Sequence, residues 1–239
     1  MRYREWNSDY ADNYISRNPI VRYFFNMRLR GALNLFKEVE RRPLFTLSAL
    51  EIGCYDGRFS YQLSNFYKLV IGTELNPVHL FKYIIPHYSK TKGLSFCAAD
   101  AFYLPFKEST FDVIYGLGVF EHFLLGDTPY KEIFRVLKPN GKIVAGLPIE
   151  LGISLLVKKI GLDLMGRGRI SLTDVVRSFR LGEENGTRWK QDHCDYNWKN
   201  TRNQIVKHGM RIIAQKYLPF PRLKFIGNPF VIIVAEKYK

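Results

Sequence analysis

Long apolar runs are missing from this sequence. No stretch reaches the roughly 18 consecutive apolar residues that a membrane-spanning helix needs. Arg2, Arg4, Glu5 and Asp9 interrupt any apolar core that a secretory signal would place at the start. Cysteine is scarce as well. Cys54, Cys97 and Cys194 are odd in number and far apart, so they make neither a disulfide framework nor a zinc-ligand spacing, and no metal is expected. A reducing, cytoplasmic setting is the expectation. The dinucleotide fingerprint Gly-x-Gly-x-x-Gly is absent too.

Acids are in short supply relative to bases: 22 against 36, for a net charge of +14. The imbalance is uneven. Residues 1–48 carry +4, residues 49–148 only +1, and residues 149–239 carry +9. The middle of the chain is nearly neutral and the flanks are basic. Such flanks suit an acidic substrate, an anionic membrane surface or nucleic acid, or are simply a solvated surface. The 239 residues and 46% apolar content suffice for one large α/β domain with additions.

Hydrophobic periodicity gives the order of elements. Ile20, Tyr23, Phe24, Met27, Leu33 and Phe36 recur at helical spacing, and Arg41-Arg42-Pro43 ends that segment. Strands are expected at 46–52, 68–73, 94–98, 111–116 and 142–147, separated by helices at 59–66, 77–87 and 128–137. Pro77 starts the second of these helices, and 138–141 is a tight turn. A helix at 197–208 with Asn197 as its N-cap precedes two last strands at 210–217 and 230–236. Alternation of strand and helix implies right-handed crossovers. The expected fold is α/β: a Rossmann-like, doubly wound, mostly parallel sheet with an antiparallel last strand, N-terminal helices and an insertion after the fifth strand. Four parts follow: an N-terminal helical cap (1–45), a ligand-binding core (46–148), a substrate-side insertion or lid (149–195) and a C-terminal completion of the sheet (196–239).

The chemistry concentrates where these strands end. Glu51-Ile52-Gly53-Cys54-Tyr55-Asp56-Gly57 is an apolar strand closing on an acid and a glycine-spaced turn, which lets a ligand approach backbone closely. Glu51 suits a cationic or hydroxyl-rich ligand and disfavours a pyrophosphate, which points from NAD toward S-adenosylmethionine. Glu74 closes the second strand, and Asp100 lies just past the third. Singly, each acid reads as a cap or a solvated charge and each glycine as a turn. In register with alternating elements they read as one site.

These stretches, with Gly72–Pro77, Ala98–Phe106, Phe111–Gly116, Phe120-Glu121-His122 and Glu132–Lys142, resemble the motifs of class I S-adenosylmethionine-dependent methyltransferases of the ubiquinone-type (methyltransferase-domain 11-like) group. The resemblance covers about 100 residues, 46–148. It implies that Glu74 holds the ribose hydroxyls, and that Asp100 and the Ala101 backbone take the adenine. It also implies that Glu51, Gly53, Cys54, Tyr55, Gly57, Leu75 and Gly116 line the rest of the cofactor. Tyr55 departs from the family's commonest residue there, a glycine.

Methyl transfer is an in-line displacement in which alignment does most of the work, and a base is required only for an acceptor that must lose a proton. His122 and His193 are the candidate bases. The insertion carries an apolar helical face (Ile153, Leu156, Val157, Ile160, Leu164) followed by Arg167, Arg169, Arg177, Arg180, Arg188 and Lys190. It reads as a lid, or as contact with a lipid-linked acceptor or an anionic membrane surface. Tyr10, Tyr14 and Arg17 extend the cap over the cofactor by analogy. The leading reading is a methyltransferase acting on a small-molecule or lipid-linked metabolite, cytoplasmic or peripheral to the membrane. An RNA methyltransferase and a non-catalytic S-adenosylmethionine-fold binding protein are the alternatives.

Overall fold

Buried strands with helical crossovers assemble into one seven-stranded sheet in the order β3-β2-β1-β4-β5-β7-β6. The structure, a computed structural model, describes residues 19–123, 126–149, 153–164, 171–180, 196–223 and 228–238. The parallel strands are β1 (Ser48–Ile52), β2 (Leu69–Glu74), β3 (Leu94–Ala98), β4 (Phe111–Leu117) and β5 (Leu137–Pro148). β7 (Phe230–Lys237) runs antiparallel between β5 and β6 (Met210–Leu218), as expected for the last strand. All seven residues of β4 are buried, which is why its sequence, apart from the ion-paired Asp112, is apolar rather than alternating.

Helices cover both faces. On one side α1 (Pro19–Val39) and α2 (Arg58–Ser64) pack Leu29, Ala32, Phe36 and Phe59 against Val113, Tyr115, Val144 and Ile232. Tyr115 is wholly buried, and its hydroxyl is satisfied by Tyr67 at 2.7 Å. On the other side α4 (Thr128–Val136) and α7 (Trp198–Lys207) cover Phe111, Ile114 and Ile143. Asn197 caps α7, its side chain accepting from the Lys199 N–H at 3.0 Å. The helical run α3 spans 77–88, begins at Pro77 and contains a π-turn at Leu80–Ile84. Two insertion helices, α5 (Ile153–Leu164) and α6 (Leu172–Arg180), meet through Leu155 and Val175.

Three expectations change. Residues 44–46 form a 3-10 turn, so β1 starts later than expected. The turn at 138–141 lies inside β5 as an irregularity: Phe111 pairs with Leu137, Val113 with Lys142, and Asn140 takes the left-handed backbone (φ 59°) that lets the extra residues loop out. Tyr23, grouped with the apolar face of α1, is 61% exposed. Residues 1–18, with Tyr10, Tyr14 and Arg17, lie outside the described residues.

The end of α1 is fastened to the amino edge of the sheet by charges. Glu40 accepts from Arg42 (3.1 Å) and Lys142 (3.0 Å), and Lys142 also pairs with Glu236 at 3.3 Å. Asp112 on β4 accepts from Arg42 (2.9 Å), Lys138 (2.8 Å) and the Ser48 N–H (3.0 Å). Burial alone would raise the Glu40 pKa, but the hydrogen bonds from Arg42 and the Lys142 charge outweigh it and bring the carboxyl to about 2. Such a depressed acid adds stability above its unfolded pKa, near 4.5, and loses that contribution as pH falls toward 2. Glu40→Gln should therefore lower stability by about 1–2 kcal/mol at pH 7. Urea denaturation at pH 7 and pH 3 checks this, because the gap between variant and wild type should narrow at the lower pH.

Candidate functional site

The turn between β1 and α2 reverses the chain through three left-handed residues, Gly53 (φ 68°), Tyr55 (φ 52°) and Gly57 (φ 73°). At Gly57 a side chain is excluded by space as well as by φ, because a Cβ there would meet Ile84 at 2.8 Å and Tyr88 at 2.9 Å. The turn is tied to β2: Cys54 N–H donates to Thr73 O (2.8 Å), and Tyr55 N–H donates to the Glu74 carboxylate (3.1 Å). The other Glu74 oxygen accepts from Asn76 N–H at 3.2 Å. Each oxygen so keeps a lone pair for another donor, and Glu74 is only half-buried at the strand end.

Asp100 lies beside it. Glu74 pairs with Ala98 across the β2–β3 ladder, and Ala99 N–H donates to Glu74 O at 3.1 Å. Asp100 is exposed. One of its oxygens accepts from Phe102 N–H at 2.9 Å, and the other makes no hydrogen bond among the described residues. Leu75 and Tyr103, each close in sequence to one of the acids, are 53% and 78% exposed and offer apolar faces near them. Ala101 is half-buried between these elements.

Glu51 behaves differently from the expectation. Its side chain is 4% exposed and accepts from the Ser60 hydroxyl on α2. Ser60 comes this close because β2 carries Gly72, where a Cβ would lie 2.6 Å from the Ser60 Oγ. Burial, helped by the nearby Asp56 charge, pushes the Glu51 pKa up to about 8, against the opposing pull of the Ser60 hydrogen bond and Arg28. At neutral pH the free protein holds this carboxyl protonated, so the repulsion of pyrophosphate ascribed to its charge does not apply. The side chain of Cys54 also turns inward, packing on Leu80 and Ile84, and burial raises its thiol pKa well above the usual value. At Gly116 the room left by the missing side chain is taken by protein, since a Cβ would meet Phe120 at 2.4 Å and Val119 at 2.8 Å.

Tyr55 now has a reason for its conformation. Its carbonyl lies 3.0 Å from His79 Nε2, and its ring faces His79 (6.1 Å), which faces Tyr83 (5.3 Å). His79 is buried at the start of α3, so the aromatic set joins the turn to that helix.

The residue that periodicity missed is Arg28. It is 5% exposed, stands over the Phe230 ring (5.6 Å), and lines a small cavity with Glu51, Gly53, Cys54, Tyr55, Asp56 and Leu117. Its place among Leu29, Ala32 and Phe36 puts a charge on the core face of α1, and that is the signal the sequence offered. His122 closes the 3-10 turn after β4 (Phe120–His122), with its neighbour Glu121 buried. Desolvation draws the His122 pKa below the usual imidazole value, although the residue as a whole is exposed. His193 lies outside the described residues, as do Arg167, Arg169, Arg188 and Lys190.

Comparison with known proteins finds likenesses for part of the chain. Residues 50–145 match the family model described as "Methyltransferase domain". The demethylmenaquinone methyltransferase of Lactococcus lactis is 36% identical over 106 residues, covering 41% of this chain and 40% of that protein. The sterol 24-C-methyltransferase of Pneumocystis carinii is 34% identical over 99 residues, covering 39% and 26%. The chain thus spans less than half the length of these two relatives. The N-methyltransferase NodS of Bradyrhizobium japonicum, solved with S-adenosyl-L-homocysteine, superposes with a TM-score of 0.61 at 15% identity, covering 94% of this chain and 91% of that one, a likeness of fold.

Glu51 sets a measurable pH dependence. A carboxyl with a native pKa near 8 and an unfolded one near 4.5 binds its proton more tightly when folded, so the fold loses stability as pH rises between those values. Glu51→Gln removes that loss. Its urea midpoint should match wild type at pH 5 and exceed it at pH 9 by the equivalent of about 2–4 kcal/mol. A lower midpoint at pH 9 would mean that the ionised carboxylate is well accommodated.

Proposed function

We propose that this chain moves a methyl group from S-adenosylmethionine to a small-molecule or lipid-linked acceptor, a reading supported by the match of residues 50–145 to a methyltransferase-domain model. The observation that carries the reading is the pair of acids at adjoining strand ends. Glu74 is oriented by two backbone N–H groups and keeps acceptor capacity, and Asp100 has one oxygen uncommitted among the described residues. Two neighbouring hydroxyls of a ribose match the first, and an adenine amino group matches the second. Leu75 and Tyr103 supply apolar faces for the base. Arg28 supplies a buried guanidinium for the carboxylate of the amino-acid end, on the far side of the Gly53–Gly57 turn.

The cofactor brings an activated methyl on a sulfonium. The protein's part is to hold the cofactor, exclude water and set the acceptor in line, where orientation is worth many kcal/mol. An acceptor that loses a proton needs a base. His122, drawn toward its neutral form, and His193 are the proposed groups.

A lipid class of acceptor draws support from two sides. The two relatives above are named for a sterol and for demethylmenaquinone, both largely apolar. In the insertion, α6 buries Val175 while Leu172, Val176 and Phe179 recur at helical spacing and are more than half exposed. Such a stripe suits an apolar acceptor or the membrane that holds it. No helix among the described residues is long and apolar enough to cross a membrane, so contact of this kind would be peripheral.

Calorimetry with S-adenosyl-L-homocysteine tests the site. Glu74→Ala should bind at least tenfold more weakly, and unchanged affinity would remove the ribose assignment. Arg28→Ala should weaken S-adenosyl-L-homocysteine binding while leaving 5′-methylthioadenosine, which lacks the carboxylate, within twofold of wild type. Equal losses for both ligands would show that Arg28 shapes the pocket rather than holding the carboxylate.

A further inference from the structure

The outer side of α1 borders a second and larger cavity, a groove of about 680 Å3 closed on its other side by the end of β6 and the loop beyond it. That volume falls in the range of small-molecule sites. One stripe of the helix, Arg22, Asn26, Arg30 and Asn34, lines it with Lys216 from β6, and the Asn26 amide is already engaged, donating to Arg22 O at 2.8 Å. Its floor is apolar, built from Met27, Leu218, Pro219 and Pro221. Among the described residues no Asp or Glu lines it. Glu38, outside the lining, pairs with Lys216 at 2.9 Å. Arg30 is exposed, and neither it nor Asn34 makes a side-chain hydrogen bond or ion pair among the described residues. Phe220 and Leu223, on the adjoining turn, are 56% and 53% exposed with Arg222 between them.

Donors on the rim and hydrocarbon on the floor select for a ligand that is anionic at one end and apolar at the other. Guanidinium and amide N–H groups in a row suit phosphate oxygens better than a lone carboxylate. The groove is separate from the proposed cofactor site, because the helix stands between them: Arg28 and Leu29 face the cofactor cavity while Met27, Arg30 and Asn34 face this one. The position of Gly31 fixes the geometry, since a Cβ there would lie 2.5 Å from Leu218. We propose that this groove is a binding site for a phosphate-bearing amphiphile, with Arg30 as its principal phosphate contact.

The chain's +14 charge attracts any anion, so the test has to separate the groove from the bulk field. Dihexanoyl phosphatidic acid, kept below its micelle concentration, is titrated into wild type, Arg30→Glu and Lys92→Glu by calorimetry. Lys92 is exposed, lies in the loop before β3 and undergoes the same change of charge. Saturable binding to wild type is expected, at least tenfold weaker for Arg30→Glu and within twofold for Lys92→Glu. Equal weakening in the two variants, or no saturable binding to wild type, overturns the proposal. Sedimentation with phosphatidylcholine vesicles, with and without phosphatidic acid, assigns the source. Arg30-dependent capture by the anionic vesicles points to a bilayer lipid, and its absence alongside soluble binding points to a free phosphate ester. Binding of S-adenosyl-L-homocysteine by Arg30→Glu is measured in parallel and should be unchanged, so failure of the groove and failure of the cofactor reading give different results.

Discussion

Two backbone hydrogen bonds from the β1–α2 turn to β2 constrain everything at the carboxyl edge of the sheet. Cys54 N–H reaches Thr73 O, and Tyr55 N–H reaches Glu74 itself. The second means that the conformation of the turn and the aim of Glu74 are one variable. A turn that relaxed toward ordinary backbone angles would withdraw the N–H that orients the carboxylate. This is why the turn tolerates a left-handed tyrosine. Such a conformation costs a non-glycine residue roughly 1–2 kcal/mol, and the contacts of Tyr55 with His79, through carbonyl and ring, offset it. Glycine at that place would fit the backbone without strain, but it would remove the ring that joins the turn to His79 and α3.

The two edges of the sheet treat charge in opposite ways. At the amino edge Glu40, Arg42, Asp112, Lys138 and Lys142 form a network of ion pairs with hydrogen-bond distances near 3 Å, and the acids sit below their ordinary pKa. At the carboxyl edge Glu51, Arg28 and Glu121 are buried, yet burial raises the Glu51 pKa to about 8 instead of lowering it. A paired, fully ionised network serves anchorage. An acid poised near neutral pH beside a buried cation serves a place where a charged group arrives, since such a group shifts the local balance at little structural expense. The carboxyl edge is also where open α/β sheets bind ligands.

How much of this was legible follows from what each signal depends on. The five parallel strands and their crossovers were readable because burial on both faces leaves apolar runs, as in Val113–Leu117, and because Pro77 and Asn197 mark helix starts with chemistry local to the chain. Glu74 and Asp100 were readable because strand-end position follows from the same pattern. What escaped depends on neighbours distant in sequence. The burial of Glu51 requires Ser60 and Gly72, and the inward turn of Cys54 requires Leu80 and Ile84. The 138–141 loop reads as an ordinary turn, and only its pairing with β4 shows that β5 starts before it. Arg28 escapes apolar periodicity because it is a charge at a core position of the helix face.

Helix α1 lies outside the stretch that matches the family, yet it gives walls to both cavities. Its hold on the sheet is firm at three heights: the Glu40 ion pairs at its end, the Gly31–Leu218 contact at its middle, and Arg28 against Phe230 nearer its start. A helix so fastened does not shift freely toward either side. Occupants of the two cavities would meet a common wall in this helix, Arg28 and Leu29 on one side and Met27 and Arg30 on the other. The methyl transfer proposed for the stretch 50–145 and the phosphate binding proposed for the groove on α1 are then separable problems. The first is built on the parallel strands. The second is built on a basic helix, laid across their antiparallel extension.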